Sequence, residues 1–165
     1  MKYRKHIESS VLDALVVFSK LHGKPFSAEV LSEGLPIAEG QSSPKLFSVK
    51  SGDSRALFGR AAHRAGFTTR VSKISMEDIS SLVLPCIILL KTDDPNEVNA
   101  CILESFDDLR ENANIILPEI GDIVNTVKIE DLLEEYFGMA FFLKREFRFE
   151  SDDFKLIDNK NKHWF

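Results

Sequence analysis

At 165 residues, with 44% hydrophobic and 28% charged side chains, the chain suits one domain with a sizeable core. Its net charge of -5 argues against a nucleic-acid partner, because phosphate affinity needs a basic face. The longest apolar run, LVLPCIILL at 82–90, falls far short of the ~20 residues of a membrane helix, and no apolar run follows the polar start MKYRKHIESS to make a signal peptide.

Helical periodicity comes first along the chain. In residues 8–21 the apolar positions Val11, Leu12, Leu15, Val16 and Phe18 recur at helical spacing. Ser9 or Ser10 is placed to cap the start, and Gly23 and Pro25 end the helix. SAEVLSEGL at 27–35 reads as a short capped helix stopped by Pro36. A polar connection carrying Leu46, Phe47 and Val49 follows. RALFGRAAHRAGF at 55–67 sets Leu57, Phe58, Ala61, Ala62 and Ala65 on one face and ends at Gly66, and EDISSL adds a helical turn.

Strand patterns take over from there. TTRVSKI, PCIILLK, NACILES, NIILPEI and NTVKIE are short, rich in Val and Ile, and separated by turn clusters such as TDDPNE and DDLREN. IEDLLEEYFG reads as a helical turn. MAFFLKREFRFE closes the sheet as an edge strand, in which Phe147 and Phe149 alternate with Arg148 and Glu150. An aromatic edge of this kind suits an unfolded chain, because backbone pairing needs no particular sequence. The tail SDDFKLIDNKNKHWF reads as a linker. Helices first and an antiparallel sheet second is an α+β architecture.

Cys86 and Cys101 form no metal pattern and lie in apolar stretches. They read as buried free thiols of a reducing, cytoplasmic compartment. His6, His22, His63 and His163 show no metal-ligand spacing and read as surface or capping residues. Thirteen phenylalanines against one tryptophan and two tyrosines point to a Phe-rich core, or in part to an apolar binding surface. Phe137, Phe141 and Phe142, around Gly138, fit either role.

The order of these elements and several phrases resemble the N-terminal C39 peptidase-like domain of bacterial type I secretion ABC transporters. The stretch from Ser10 through DAL to LHG is similar to the first helix of C39 peptidases, which a Cys-Gly pair opens and a YHG-like phrase ends. SPKLF and RAAHRAGF resemble the third helix, and LPCIILL the Leu-Pro strand. YFGMAFFLKREFRF resembles the closing strand of the adhesin-exporting branch, and HWF the entry to its transmembrane helices. LFSVKSGD departs from the pattern by lengthening the approach to the third helix. The resemblance implies a papain-like fold, with N-terminal helices packed on an antiparallel β-sheet over residues 1–150. It makes 151–165 a linker toward a transmembrane domain, on the cytoplasmic side of the inner membrane.

Active members of that family use a cysteine nucleophile at the start of a buried helix, where the dipole favours the thiolate. A histidine base, an orienting aspartate and a glutamine oxyanion donor complete the site. Carried over, these positions fall on Ser10, on Ala100 (or Asn99), on Pro118 and near Arg4. A serine attacks an amide only with a base and a stabilised oxyanion, so the expectation is a domain that is not an enzyme, in a transporter that is an ATPase. No cofactor or metal is implied.

The implied role is recruitment of an unfolded RTX-type protein or adhesin, beside the transporter's own transmembrane and nucleotide-binding domains and without membrane insertion by this segment. The contact residues expected are Leu21, where many relatives carry tyrosine, with Leu89, Phe141, Phe147 and Phe149. The alternatives are a cysteine or serine peptidase with a rearranged site, acting on a double-glycine leader, or a module that only stabilises the transporter.

Overall fold

A computed structural model describes residues 3–49 and 54–146. Three helices lead: α1 (Ser10–Leu21), α2 (Ala28–Ser32) and α3 (Ser54–Arg64). The strands follow as β1 (Phe67–Lys73), β2 (Cys86–Lys91), β3 (Val98–Phe106), β4 (Asn112–Ile116), β5 (Val124–Lys128) and β6 (Tyr136–Arg145). Helix α4 (Ile129–Glu135) precedes β6, and one-turn 3-10 segments sit at Met76–Asp78, Ser81–Val83 and Pro118–Ile120. This is the α+β fold expected, helices first.

The strands form one antiparallel sheet in the order β1-β6-β2-β3-β4-β5. One face packs on α1 and α3, where Leu15, Phe18 and Phe58 meet Ile87, Leu89, Ile102 and Phe141. Phe58 stacks on Phe141 at 4.1 Å between ring centroids. The other face gathers Ile88, Leu90, Cys101, Leu103 and Phe142 beneath Met76, Ile79 and Leu132. Because both faces are covered, Cys86 to Leu90 are all buried, and β2 therefore reads as an unbroken apolar run instead of an alternation.

Three local expectations change. The closing strand is not an edge: β6 lies between β1 and β2, and β1 and β5 are the edges. Its Phe141 points into one core and its Ala140 and Phe142 into the other, so an interior position buries more apolar surface than an edge would. Tyr136 opens this strand and does not extend the preceding helix, since its backbone is already extended at φ -67 and ψ 124. Neither Ser9 nor Ser10 caps α1 through its side chain. Ser9 holds the capping position without a cap bond, its hydroxyl donating to Asp13 at 2.8 Å. Ser27 does cap α2, accepting from the Val30 amide at 3.2 Å. The proposed linker 151–165, His163, Phe147 and Phe149 lie outside the described residues.

Candidate functional site at the start of the first helix

The lead-in to α1 is fastened to β3 by two buried polar side chains. Asn99 is 1% exposed; its Oδ1 accepts from the Ile7 amide at 2.8 Å and its Nδ2 donates to the Lys5 carbonyl at 2.9 Å. Ser10 is 3% exposed, and its Oγ accepts from the Ala100 amide at 2.8 Å and lies 3.4 Å from the Ala100 carbonyl. A buried polar group is held in this way because leaving it unpaired is costly. Neighbouring residues of one strand thus set the position of the helix start.

Further contacts close around this junction. His6 Nε2 meets Glu97 at 2.7 Å, and Lys45 pairs with the same carboxylate. Glu8 accepts from the amides of Ser42 at 2.6 Å and Ser43 at 3.3 Å, and from the Ser42 hydroxyl at 3.2 Å. The Ser42 amide above all holds the Glu8 carboxyl below its ordinary value. His6 Nδ1, Gln41 Oε1 and Ser43 Oγ are buried with no hydrogen-bond partner among the described residues.

The carried-over positions separate into two groups. Ser10 and Ala100 are in direct contact. Pro118 heads the Pro118–Ile120 turn, which packs against α1. Arg4 is held by Thr92 through a backbone bridge and by Glu135 through an ion pair of 2.8 Å. Among the expected contact residues, Leu21 is 43% exposed and available. Leu89 and Phe141 are each 0% exposed, which corrects their assignment: as inward residues of interior strands they present nothing to a ligand.

Both cysteines are free and buried. Burial pushes the Cys86 thiol up to about 12, and burial above all, with Cys86 as neighbour, pushes Cys101 further up. Neither is a thiolate nucleophile at neutral pH. Among the described residues, no group of three or more His, Cys, Asp or Glu is placed to hold a metal, and no helix is long and apolar enough to cross a membrane. Sequence reasoning passed over His6, Glu97, Lys45 and Glu8, whose partners are remote in sequence. Asn99 had a signal, as a polar residue inside the apolar stretch VNACIL.

No protein-family model and no curated protein matches the chain. Solved structures do. The N-terminal peptidase C39 like domain of the toxin secretion ATP-binding protein from Vibrio parahaemolyticus is 32% identical, with a TM-score of 0.67, over 85% of this chain and 99% of that domain. The peptidase domain of Streptococcus ComA, a bi-functional ABC transporter involved in a quorum-sensing pathway, is 19% identical over 88% and 98%, with a TM-score of 0.59. A double glycine motif protease from an AMS/PCAT transporter, solved with its leader peptide, is 15% identical over 88% and 91%, with a TM-score of 0.57. These last two speak for the fold.

The comparisons correct the expectation of a domain that is not an enzyme. The 32% identical relative carries the peptidase name, and the fold is that of peptidase domains and a protease. The exclusion of hydrolysis drawn from Ser10, Ala100 and Pro118 therefore does not stand. At that identity and coverage, the chain belongs to the N-terminal peptidase C39-like domains of secretion ABC transporters.

Proposed function

We propose that this domain engages the polypeptide exported by its transporter and holds it, unfolded, on the cytoplasmic side of the inner membrane before translocation. One observation carries this reading: the 32% identical match spans 99% of a domain belonging to a toxin secretion ATP-binding protein. The cargo in this reading is an RTX-type calcium-binding repeat protein or an adhesin, unfolded where calcium is scarce.

A second reading is favoured by the peptidase names of the structural neighbours: the engaged chain is also cut. The two readings share a bound polypeptide and differ in whether a peptide bond breaks.

The test is an NMR titration of the isotope-labelled domain with the C-terminal part of the secreted protein, once calcium-free and once calcium-loaded. Each sample is also analysed by mass spectrometry. Shifts confined to one surface, and only with the unfolded form, are the expected result. No shifts with either form at several hundred micromolar, on the order of 5 kcal/mol of binding, would remove the reading. New fragments ending at a single peptide bond would establish the second one.

A further inference from the structure

β2 begins at Cys86, and its first pair with β6 is Ile87 with Phe141. Among the described residues the last residues of β6 therefore have only β1 as a strand partner, and Leu84 and Pro85 border them on the other side. A cavity of about 580 Å³ opens there, bounded by β1, the end of β6, residues 82–85 and His22 at the end of α1.

Its chemistry is one-sided. Arg70 lies opposite Phe142, and Thr68 opposite Lys144, so the two cations sit diagonally on one face of the sheet. Both are exposed, and neither forms an ion pair among the described residues. The Arg70 guanidinium lies 5.3 Å from the centre of the Phe142 ring. Among the described residues no acidic side chain lines the cavity, in a chain whose net charge is -5. Apolar surface is offered beside the charge, with Leu82 94% and Val83 38% exposed. β1 is an edge strand whose outer side faces away from residues 82–85, so the main chain left open to the groove is the end of β6, which pairs with β1 alone among the described strands.

We infer that this groove takes an extended, acidic polypeptide segment with interspersed apolar side chains, laid along the end of β6 with its carboxylates toward Arg70 and Lys144. The inference rests on the proposed engagement of an exported chain and gives that chain a place and a chemistry. A concave site beside a free strand edge suits a peptide, which has a main chain to pair. A bilayer surface has no use for the edge.

The probe is a short synthetic peptide alternating aspartate with leucine and phenylalanine. It is compared with its lysine-for-aspartate counterpart and with phosphatidylglycerol vesicles. Binding of the acidic peptide should shift the amides of Thr68, Arg70, Leu82, Val83 and Lys144, and weaken as salt rises. Arg70→Glu and Lys144→Glu should each weaken it about fivefold. The Lys144 side chain makes no hydrogen bond or ion pair among the described residues, so its variant stays informative if Arg70→Glu unfolds. Equal affinity for the lysine peptide, or affinity unmoved by Lys144→Glu, overturns the inference. So does vesicle binding that displaces the peptide. If the natural unfolded cargo shifts a different surface, the groove fails and the engagement reading stands; if the cargo binds nowhere, both fail.

Discussion

Ser10 and Asn99 show what a single polar side chain does when it is sealed into a junction. In Ser10→Ala the Ala100 amide loses its 2.8 Å acceptor in a place closed to water. Such an orphan costs about 1–3 kcal/mol, far more than the small change in helix propensity returns. Urea denaturation of the variant checks this; a loss below about 0.5 kcal/mol would mean that the amide finds another partner. Asn99→Ala strips two main-chain partners at once, so the Ile7 amide should also exchange faster with solvent.

The thiols add a pH dependence with a definite sign. Burial raises the Cys86 value from 9.0 to about 12 and raises that of Cys101 as well, so the unfolded chain ionises first. Stability is then full below the ordinary thiol value and falls as pH climbs from about 9 toward 12. By pH 10 each thiol accounts for a loss on the order of 1 kcal/mol. A Cys86→Ala/Cys101→Ala protein starts less stable at neutral pH, from the volume lost. Between pH 8 and pH 10 its denaturation free energy should fall roughly 2 kcal/mol less than that of the parent. Parallel pH profiles for the two proteins would rule this out.

Strand β6 is where an element departs most from its sequence. Between the pairs Ile88–Ala140 and Leu90–Tyr136, β2 contributes Leu89 alone and β6 contributes Phe137, Gly138 and Met139. The excess residues bulge, and Gly138 takes φ 95 there. Nothing lies within 4 Å of a Cβ added at Gly138, so the whole penalty of Gly138→Ala is backbone strain, about 1–2 kcal/mol. Gly59 makes the contrast: it is helical, and an added Cβ would meet Thr69 at an ordinary 3.6 Å. Gly59→Ala should therefore stabilise by about 0.5–1 kcal/mol, and opposite signs in thermal melts are the expected outcome. The strand character of MAFFLKR was legible, since its apolar residues exceed what one face can hold. Its interior place was not, because α4 carries the chain back across the sheet and no local pattern encodes that return. Likewise α1 was legible from its 3.6-residue period. The family resemblance assigns Ser10 and Ala100 to one site without giving their hydrogen bond, and nothing in the sequence pattern points to the Lys45–Glu97 pair, 52 residues apart.

At the scale of the molecule, the sheet is anchored at its centre and open at its rims. β2 has strand partners on both sides and apolar cores on both faces, so its amides are released only when the whole domain unfolds, at about 5–15 kcal/mol. β5 pairs with β4 alone, alternates between exposed and half-buried residues, and leaves Val124 44% exposed. Its amides should open locally at a few kcal/mol. β1, the other rim, has α3 packed against it and should fall between the two. Hydrogen exchange read by NMR orders these three strands directly. If β5 proved as protected as β2, its rim would be covered in solution by another chain and the domain would not be a monomer. If the expected order holds, β1 is firm enough to back the end of β6 when an extended chain is received there. Added acidic peptide should then slow exchange at the end of β6 and leave β5 unchanged, since Arg70 and Lys144 lie at that end of the sheet.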